Sequence, residues 1–262
     1  MTAAATGPFP DFGRHLLISV DVRGYGRSDD VRQHEIQNLL PVVLDAAAGR
    51  SGFDRTLWYR QAAGDGELAV LPDGQPEARL VDDFVRELHA ELRRRNRNQA
   101  PAARTRLRLA IHHGIVRTAP MGFSGKGVVE VSRLADSAVA HLALDRSDAE
   151  LVLIVSQRVF EDTIAQPHTT YDPGAFRRVE VHHKELRQPA WLLLPGHDVH
   201  AVDLGAPGPV PDPPAPAASS GRPSPGHYNV VHGNTGTVIQ AGEIHGGVVL
   251  GHESTPDSRN VT

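Results

Sequence analysis

His15-Leu16-Leu17-Ile18-Ser19-Val20-Asp21-Val22-Arg23-Gly24-Tyr25-Gly26-Arg27-Ser28 is the stretch around which the rest of the chain is arranged. Leu16, Leu17, Ile18 and Val20 suit a buried strand, and Asp21 arrives where that strand runs out. Gly24 and Gly26 then allow a tight turn whose backbone N–H groups can approach a ligand. A carboxylate beside such a turn can hold a divalent cation while the amides face phosphate oxygens. The plainer alternative is an Asp that only ends a strand ahead of a turn, and a short Gly-rich loop does not by itself separate the two.

Downstream of the turn, Ser28-Asp29-Asp30 offers capping groups for a helix. Val31, Ile36, Leu39, Leu40, Val43, Leu44 and Ala47 continue it to a stop at Gly49, with Pro41 predicting a kink or a break into two shorter helices. Arg55 to Ala63 reads as a strand, Gly64-Asp65-Gly66 as a tight turn and Leu68 to Leu71 as the returning strand. Asp65 thus sits at a hairpin tip, although Asp-Gly is also a common turn on structural grounds alone. Pro76 to Arg95 is the clearest helix, with Leu80, Val81, Phe84, Val85, Leu88 and Leu92 on one face. Its basic end, Arg93-Arg94-Arg95 with Arg97, is accounted for by the helix dipole and solvent rather than by a phosphate patch.

Leu107 to Gly114 reads as a strand running into a loop over 114–126. Gly125 to Leu144 reads as one helix and Leu151 to Val155 as a buried strand. Ser156 caps a short helix through Ile164, and Ala175 to His183 with Gln188 to Leu194 forms a closing strand pair. The neighbours His112 and His113 point to opposite sides of their strand, as do His182 and His183, so neither pair shares a metal. The order strand, helix, strand, strand, helix, strand specifies an α+β fold: a ferredoxin-like βαββαβ antiparallel sheet with helices on one face.

The chain has 262 residues, 40% of them hydrophobic and 22% charged, enough for a real core with a tail. A formal charge of −4 gives no basic footprint, so no nucleic-acid partner is expected. The absence of cysteine excludes disulfides, thiolate zinc sites and cysteine catalysis. Met1 to Phe12 lacks the pattern of a signal peptide and no stretch has membrane-spanning length, so a soluble, cytoplasmic protein with no membrane partner is expected. Nine of the twenty prolines fall between 195 and 225, which marks a linker. The expected organisation is a flexible N-terminus over 1–11, a folded domain over 12–195, a Pro/Gly/Ala-rich linker over 196–227, a distinct segment over 228–251 and a disordered end over 252–262.

Five blocks in order and spacing resemble the class III adenylate/guanylate cyclase homology domain. They are Val20-Asp21-Val22-Arg23-Gly24-Tyr25, Gly64-Asp65-Gly66, Ile111-His112-His113-Gly114-Ile115-Val116, Gly125 to Leu134, and Val155 to Phe160; the 177–194 strand pair resembles the family's closing hairpin. The resemblance implies that Asp21 and Asp65, with the backbone of Val22, bind two divalent ions, Mg2+ or Mn2+. Arg23, Gly24, Tyr25 and Gly26, together with Gly64, would contact the nucleotide, a nucleoside triphosphate such as ATP or GTP. Arg133 matches the arginine that stabilises charge on the pentavalent phosphorus. Gln61 stands where adenylate cyclases carry a base-reading Lys, and Gly122 or its neighbours where the partner Asp is expected. Val129, four residues before Arg133, replaces a transition-state Asn and cannot hydrogen-bond a ribose oxygen. The resemblance further implies a homodimer, with the acids from one subunit and Arg133 from the other.

The segment from Asn229 to Leu250 alternates small β-branched residues with Gly, Asn and Gln. Its centre, Val238-Ile239-Gln240-Ala241-Gly242, resembles the bacterial amyloid signalling motifs related to the RHIM core, which would recruit a partner protein bearing a matching motif. A disordered Gly-rich tail is the alternative. Three functions follow as expectations: a signalling protein with a degenerate cyclase domain gated by tail assembly, an active nucleotidyl cyclase making cyclic AMP or cyclic GMP, and a non-catalytic nucleotide-sensing or dimerisation module.

Overall fold

The computed structural model describes residues 12–120 and 122–205. The expected N-terminal segment, residues 206–227 of the linker, the 228–251 motif and the 252–262 end lie outside the described residues. All described residues fall in one unit, Met1–Val210.

The stretch from Leu16 to Val22 lies in the long strand β1 (Phe12–Val22), buried on both faces. Leu16, Ile18, Val20 and Val22 enter one core and Leu17 enters a second core across the sheet, as a period of two requires. Helix α1 (Asp30–Arg50) starts at Asp29, whose carboxylate accepts the Arg32 N–H at 2.8 Å. The hairpin β2 (Tyr59–Ala63) and β3 (Gly66–Val70) follows. One turn of helix, α2 (Glu77–Arg79), then passes through a π-helical turn (Leu80–Phe84) into α3 (Val85–Asn96), and β4 (Leu107–Ala119) completes a βαββαβ unit. Its strands stand side by side as β2-β3-β1-β4, every pair antiparallel. Leu40 and Leu44 of α1 and Leu88 and Leu92 of α3 pack on the same face of this unit.

The remaining elements alter that simple picture. The next strand in the sheet, β6 (Leu151–Ser156), runs parallel to β4. Parallel neighbours need a long crossover, and here it is made by α4 (Lys126–Ala135) and α5 (Ala138–Asp145). Val131, Leu134, Ala140 and Leu144 of this crossover pack with Leu17, Val70 and Ala110 in the second core. The α+β class and the mostly antiparallel sheet are as read from sequence, but helices on one face describes only the βαββαβ unit. The whole sheet is covered on both faces. After β6 come a short helix α6 (Gln157–Val159) and the edge hairpin β7 (Arg177–His183) and β8 (Leu186–Leu193), giving the order β2-β3-β1-β4-β6-β8-β7.

Local expectations differ in five places. Pro41 neither ends nor divides α1, because Ile36, Leu40, Val43 and Leu44 on either side of it are anchored in the core. Arg55 opens a 3-10 turn rather than a strand, and its buried guanidinium pairs with Glu67 at 2.8 Å and Asp45 at 2.7 Å. The 114–126 loop carries a small ladder in which β5 (Gly122–Ser124) pairs back on β4. The single helix expected over 125–144 is two helices. Ser137 divides them, donating its hydroxyl to the Leu134 carbonyl at 2.7 Å and accepting from the Ala140 N–H. Finally, the packed chain runs beyond 195: Val199 and Leu204 are buried in the second core, and the Arg177 guanidinium binds the Val202 carbonyl at 2.7 Å.

Candidate functional site

Asp21 lies on β1 directly opposite Arg108 of β4 and Gly66 of β3. Its carboxylate makes an ion pair with the Arg108 guanidinium, with side chains only 20% and 7% exposed. Gly66 is required there, because a Cβ would fall 2.0 Å from the Val20 carbonyl oxygen. This close passage brings Asp65, one residue earlier at the hairpin tip, to the strand end next to Asp21's. Gly64 supplies the turn with φ of 63°.

The charges here come from elements far apart in sequence. Burial pushes the Asp65 carboxyl above its usual range, and the like charge of Asp136 adds to the shift, while its own backbone bond and His141 oppose it. Burial lowers the Arg108 pKa, opposed by Asp136 and Asp145. Asp136, at the break between α4 and α5, also contacts His141 at 3.0 Å and His183 at 3.4 Å. Asp21 through Arg108, and Asp65 directly, therefore share one electrostatic neighbourhood centred on Asp136. Arg108 and Asp136 were not singled out from sequence. The available signal was a charged residue inside the apolar run Leu107-Arg108-Leu109-Ala110-Ile111, which demands a buried partner of opposite sign.

The turn after Asp21 is partly committed to the protein. Val22 is buried in β1 and pairs with Leu107, and the Arg23 N–H donates to the Arg106 carbonyl at 2.9 Å. The Arg23 guanidinium is held by Asp145 at 2.5 Å. Gly24 has φ of 77° and leads into a 3-10 turn, Tyr25–Arg27, which includes Gly26. The Tyr25 hydroxyl accepts a hydrogen bond from the Gln37 side chain at 2.6 Å.

Gln61 and Gly122 come together. A Cβ on Gly122, which has φ of 114°, would lie 2.2 Å from the Gln61 Oε1, so the amide of β2 rests on the bare backbone of β5. Beside them, Tyr59 and Phe123 meet edge to face at 6.4 Å. Arg133 is not joined to Asp21 or Asp65 in this chain. It pairs with Glu185 in the turn between β7 and β8. Val129, one turn earlier on α4, is 43% exposed. The helix is seated tightly: a Cβ on Gly114 of β4 would come within 2.6 Å of the Gly127 Cα.

Among the described residues, no group of three or more His, Cys, Asp or Glu side chains is placed to hold a metal ion. Two carboxylates suit Mg2+ or Mn2+ only when phosphate oxygens and water complete the coordination. Asp21 and Asp65 by themselves leave such a ligand set incomplete. Among the described residues, no helix is long and apolar enough to cross a membrane.

With this geometry in hand, comparison with solved structures gives the fold a class. An adenylate/guanylate cyclase/hydrolase from Silicibacter pomeroyi is similar over 71% of this chain and 99% of its own, at 17% identity and a TM-score of 0.53. The guanylyl cyclase Cya2 is matched over 70% of this chain and 91% of its own, at 15% identity and a TM-score of 0.48. The guanylate cyclase domain of RhGC from Catenaria anguillulae, solved with GTP, is matched over 69% and 96%, at 18% identity and a TM-score of 0.45. The first of these establishes a cyclase-like fold for the domain. No protein-family model matches the chain, and no curated protein matches it by sequence.

Proposed function

We propose that this is a signalling protein whose degenerate class III cyclase-like domain binds a nucleoside triphosphate with divalent cations. In this reading, assembly of the 228–251 segment with a matching partner gates it. The observation that carries the nucleotide half is the Asp21–Arg108 pair, set opposite Gly66 next to Asp65 in the chain, at the strand end that leads into the Gly24–Gly26 turn. Divalent ions bound with the substrate would screen the triphosphate and acidify the ribose 3′-hydroxyl. Asp21 and Asp65 would be the carboxylates that hold the cations, with Arg108 beside Asp21 serving as a counter-charge for phosphate oxygens. Amides of the Gly24–Gly26 turn orient the phosphates. Gln61 against Gly122 presents a neutral amide to the base, which supports neither ATP nor GTP over the other.

Degeneracy is supported by Val129, an exposed apolar side chain one helical turn from Arg133. A missing transition-state hydrogen bond costs on the order of 10²–10³ in rate. Because Arg133 pairs with Glu185 and does not join Asp21 or Asp65 within the chain, the reading requires a homodimer in which Arg133 of the second copy, released from Glu185, completes the site. The alternative of an active homodimeric cyclase forming cyclic AMP or cyclic GMP is favoured by retention of Asp21, Asp65 and Arg133. A non-catalytic sensing or dimerisation module is favoured by Val129 and by the closed Gln61–Gly122 contact.

The test is incubation of the full chain with ATP or GTP and Mn2+, with and without preformed fibrils of a 228–251 peptide. Weak cyclic product that rises with fibrils and vanishes in Asp65→Asn supports the proposal. Fast turnover without fibrils selects the plain cyclase. Nucleotide binding without product selects the sensor, and absence of nucleotide binding leaves only the dimerisation module. A 228–251 peptide that stays monomeric at high concentration removes the assembly half.

A further inference from the structure

A polar pocket of about 550 Å³ opens on the α3 side of the sheet and is lined by Arg93, Arg94, Arg97, Arg104, Asn96 and Glu150. The helix dipole accounts for arginines in the last turn of α3, but it does not account for Arg104. That residue belongs to the connection between α3 and β4, beyond the 3-10 turn Pro101–Ala103. Its place is set by Asn96, which is 4% exposed. The Asn96 side chain donates to the Thr105 carbonyl at 2.8 Å and accepts the Thr105 N–H at 2.9 Å. Arg32 of α1 fixes the same connection through the Ala103 carbonyl at 2.6 Å. Arg104 is thus brought back over the end of α3 by a buried, fully satisfied clamp.

The acid of α3 nearest these arginines in sequence is already spent. Glu91 is fully buried and takes hydrogen bonds from Arg50, Arg94 and Arg95. Among the described residues, Arg93, Arg97 and Arg104 have no carboxylate within 4.0 Å, which leaves three guanidinium groups facing the single carboxylate of Glu150. Glu150 is itself 3.6 Å from His89. Guanidinium groups converging from separate elements match an anion carrying several phosphate groups, since each planar fork binds two oxygens. The volume is in the range of small-molecule sites.

We propose that this pocket binds an oligophosphate, either a nucleoside triphosphate or an inorganic chain of phosphates, at a site separate from Asp21 and Asp65. It does not depend on the cyclase reading, because none of its residues belongs to that site. The experiment is titration calorimetry of the full chain in EDTA at low salt, with sodium tripolyphosphate and with ATP as separate probes.

One equivalent of binding is expected that weakens at least tenfold in Arg97→Ala and in Arg104→Ala, recovers partly in Arg104→Lys and is unchanged in Asp65→Asn. Binding of both probes assigns the recognition to the phosphates, and binding of ATP alone adds contacts to the nucleoside. All substituted arginines are exposed, so folding is checked by an unchanged melting temperature. An absence of binding by the unsubstituted protein at millimolar probe, or equal binding by both alanine variants and the unsubstituted protein, overturns the proposal.

Discussion

Asp21 and Arg108 set the terms at the residue scale. An ion pair this far from water is costly to break from one side, because the surviving charge is left uncompensated. Arg108→Met is expected to lower unfolding free energy by about 3 kcal/mol, and Asp21→Asn with Arg108→Met to recover more than half of that loss, read from denaturant midpoints at constant m-value. Asp65 titrates in the opposite sense to most surface acids. Its folded-state pKa is raised, so the folded protein holds a proton that the unfolded chain releases. Stability therefore falls as pH rises from the ordinary carboxylate range through the raised value. Asp65→Asn should flatten that part of the stability–pH curve, and an unchanged slope contradicts the cause assigned. Both acids could be picked from sequence, since each closes a strand beside glycine. Arg108 offered only the signal of a charge inside an apolar run and Asp136 offered none, because their proximity depends on strand register and on a helix break.

Elements supply the next level. Helix α3 is fixed to α1 through Glu91, whose carboxyl is held down to about 2, chiefly by its hydrogen bond from Arg94, with Arg50 and Arg95 adding to the shift and burial opposing it. A depressed folded-state pKa gives stability that is present above the unfolded value near 4.5 and lost as pH falls towards 2. Glu91→Gln is expected to destabilise by roughly 2 kcal/mol at neutral pH, with the difference shrinking below pH 4. Thermal melts of both proteins across pH 2–7 measure it. The strands and long helices were legible from periodicity alone. Pro41 and the 125–144 run were misread for opposite reasons. Packing in the core carries α1 on through its proline, whereas the local hydrogen bonds of the Ser137 hydroxyl break the second run in the middle of an apolar pattern.

At the level of the whole molecule, the βαββαβ order was enough to specify the β2-β3-β1-β4 unit, because β2 and β3 close as a short hairpin while the helical crossovers from β1 to β2 and from β3 to β4 join parallel strands with one favoured hand. The parallel partner β6 was not legible as such. Its pairing depends on a crossover that packs in the second core, and that core draws residues from α4, α5, β7 and β8. A composite site across two copies makes a complementation prediction. In a Val129→Asn background, which should raise product formation tenfold or more, Asp65→Asn and Arg133→Ala proteins are each expected to be inactive. Mixing them should restore cyclic product, and failure to do so argues against acids and arginine coming from different subunits.

Gly114 and Gly127 leave no side chain between strand and helix at their crossing. Nothing compressible lies there to absorb a shove, so α4 cannot roll on the sheet without dragging β4 along. The same strand carries Arg108. A load on the outside of α4 would thus be felt first by β4, the strand whose guanidinium holds Asp21.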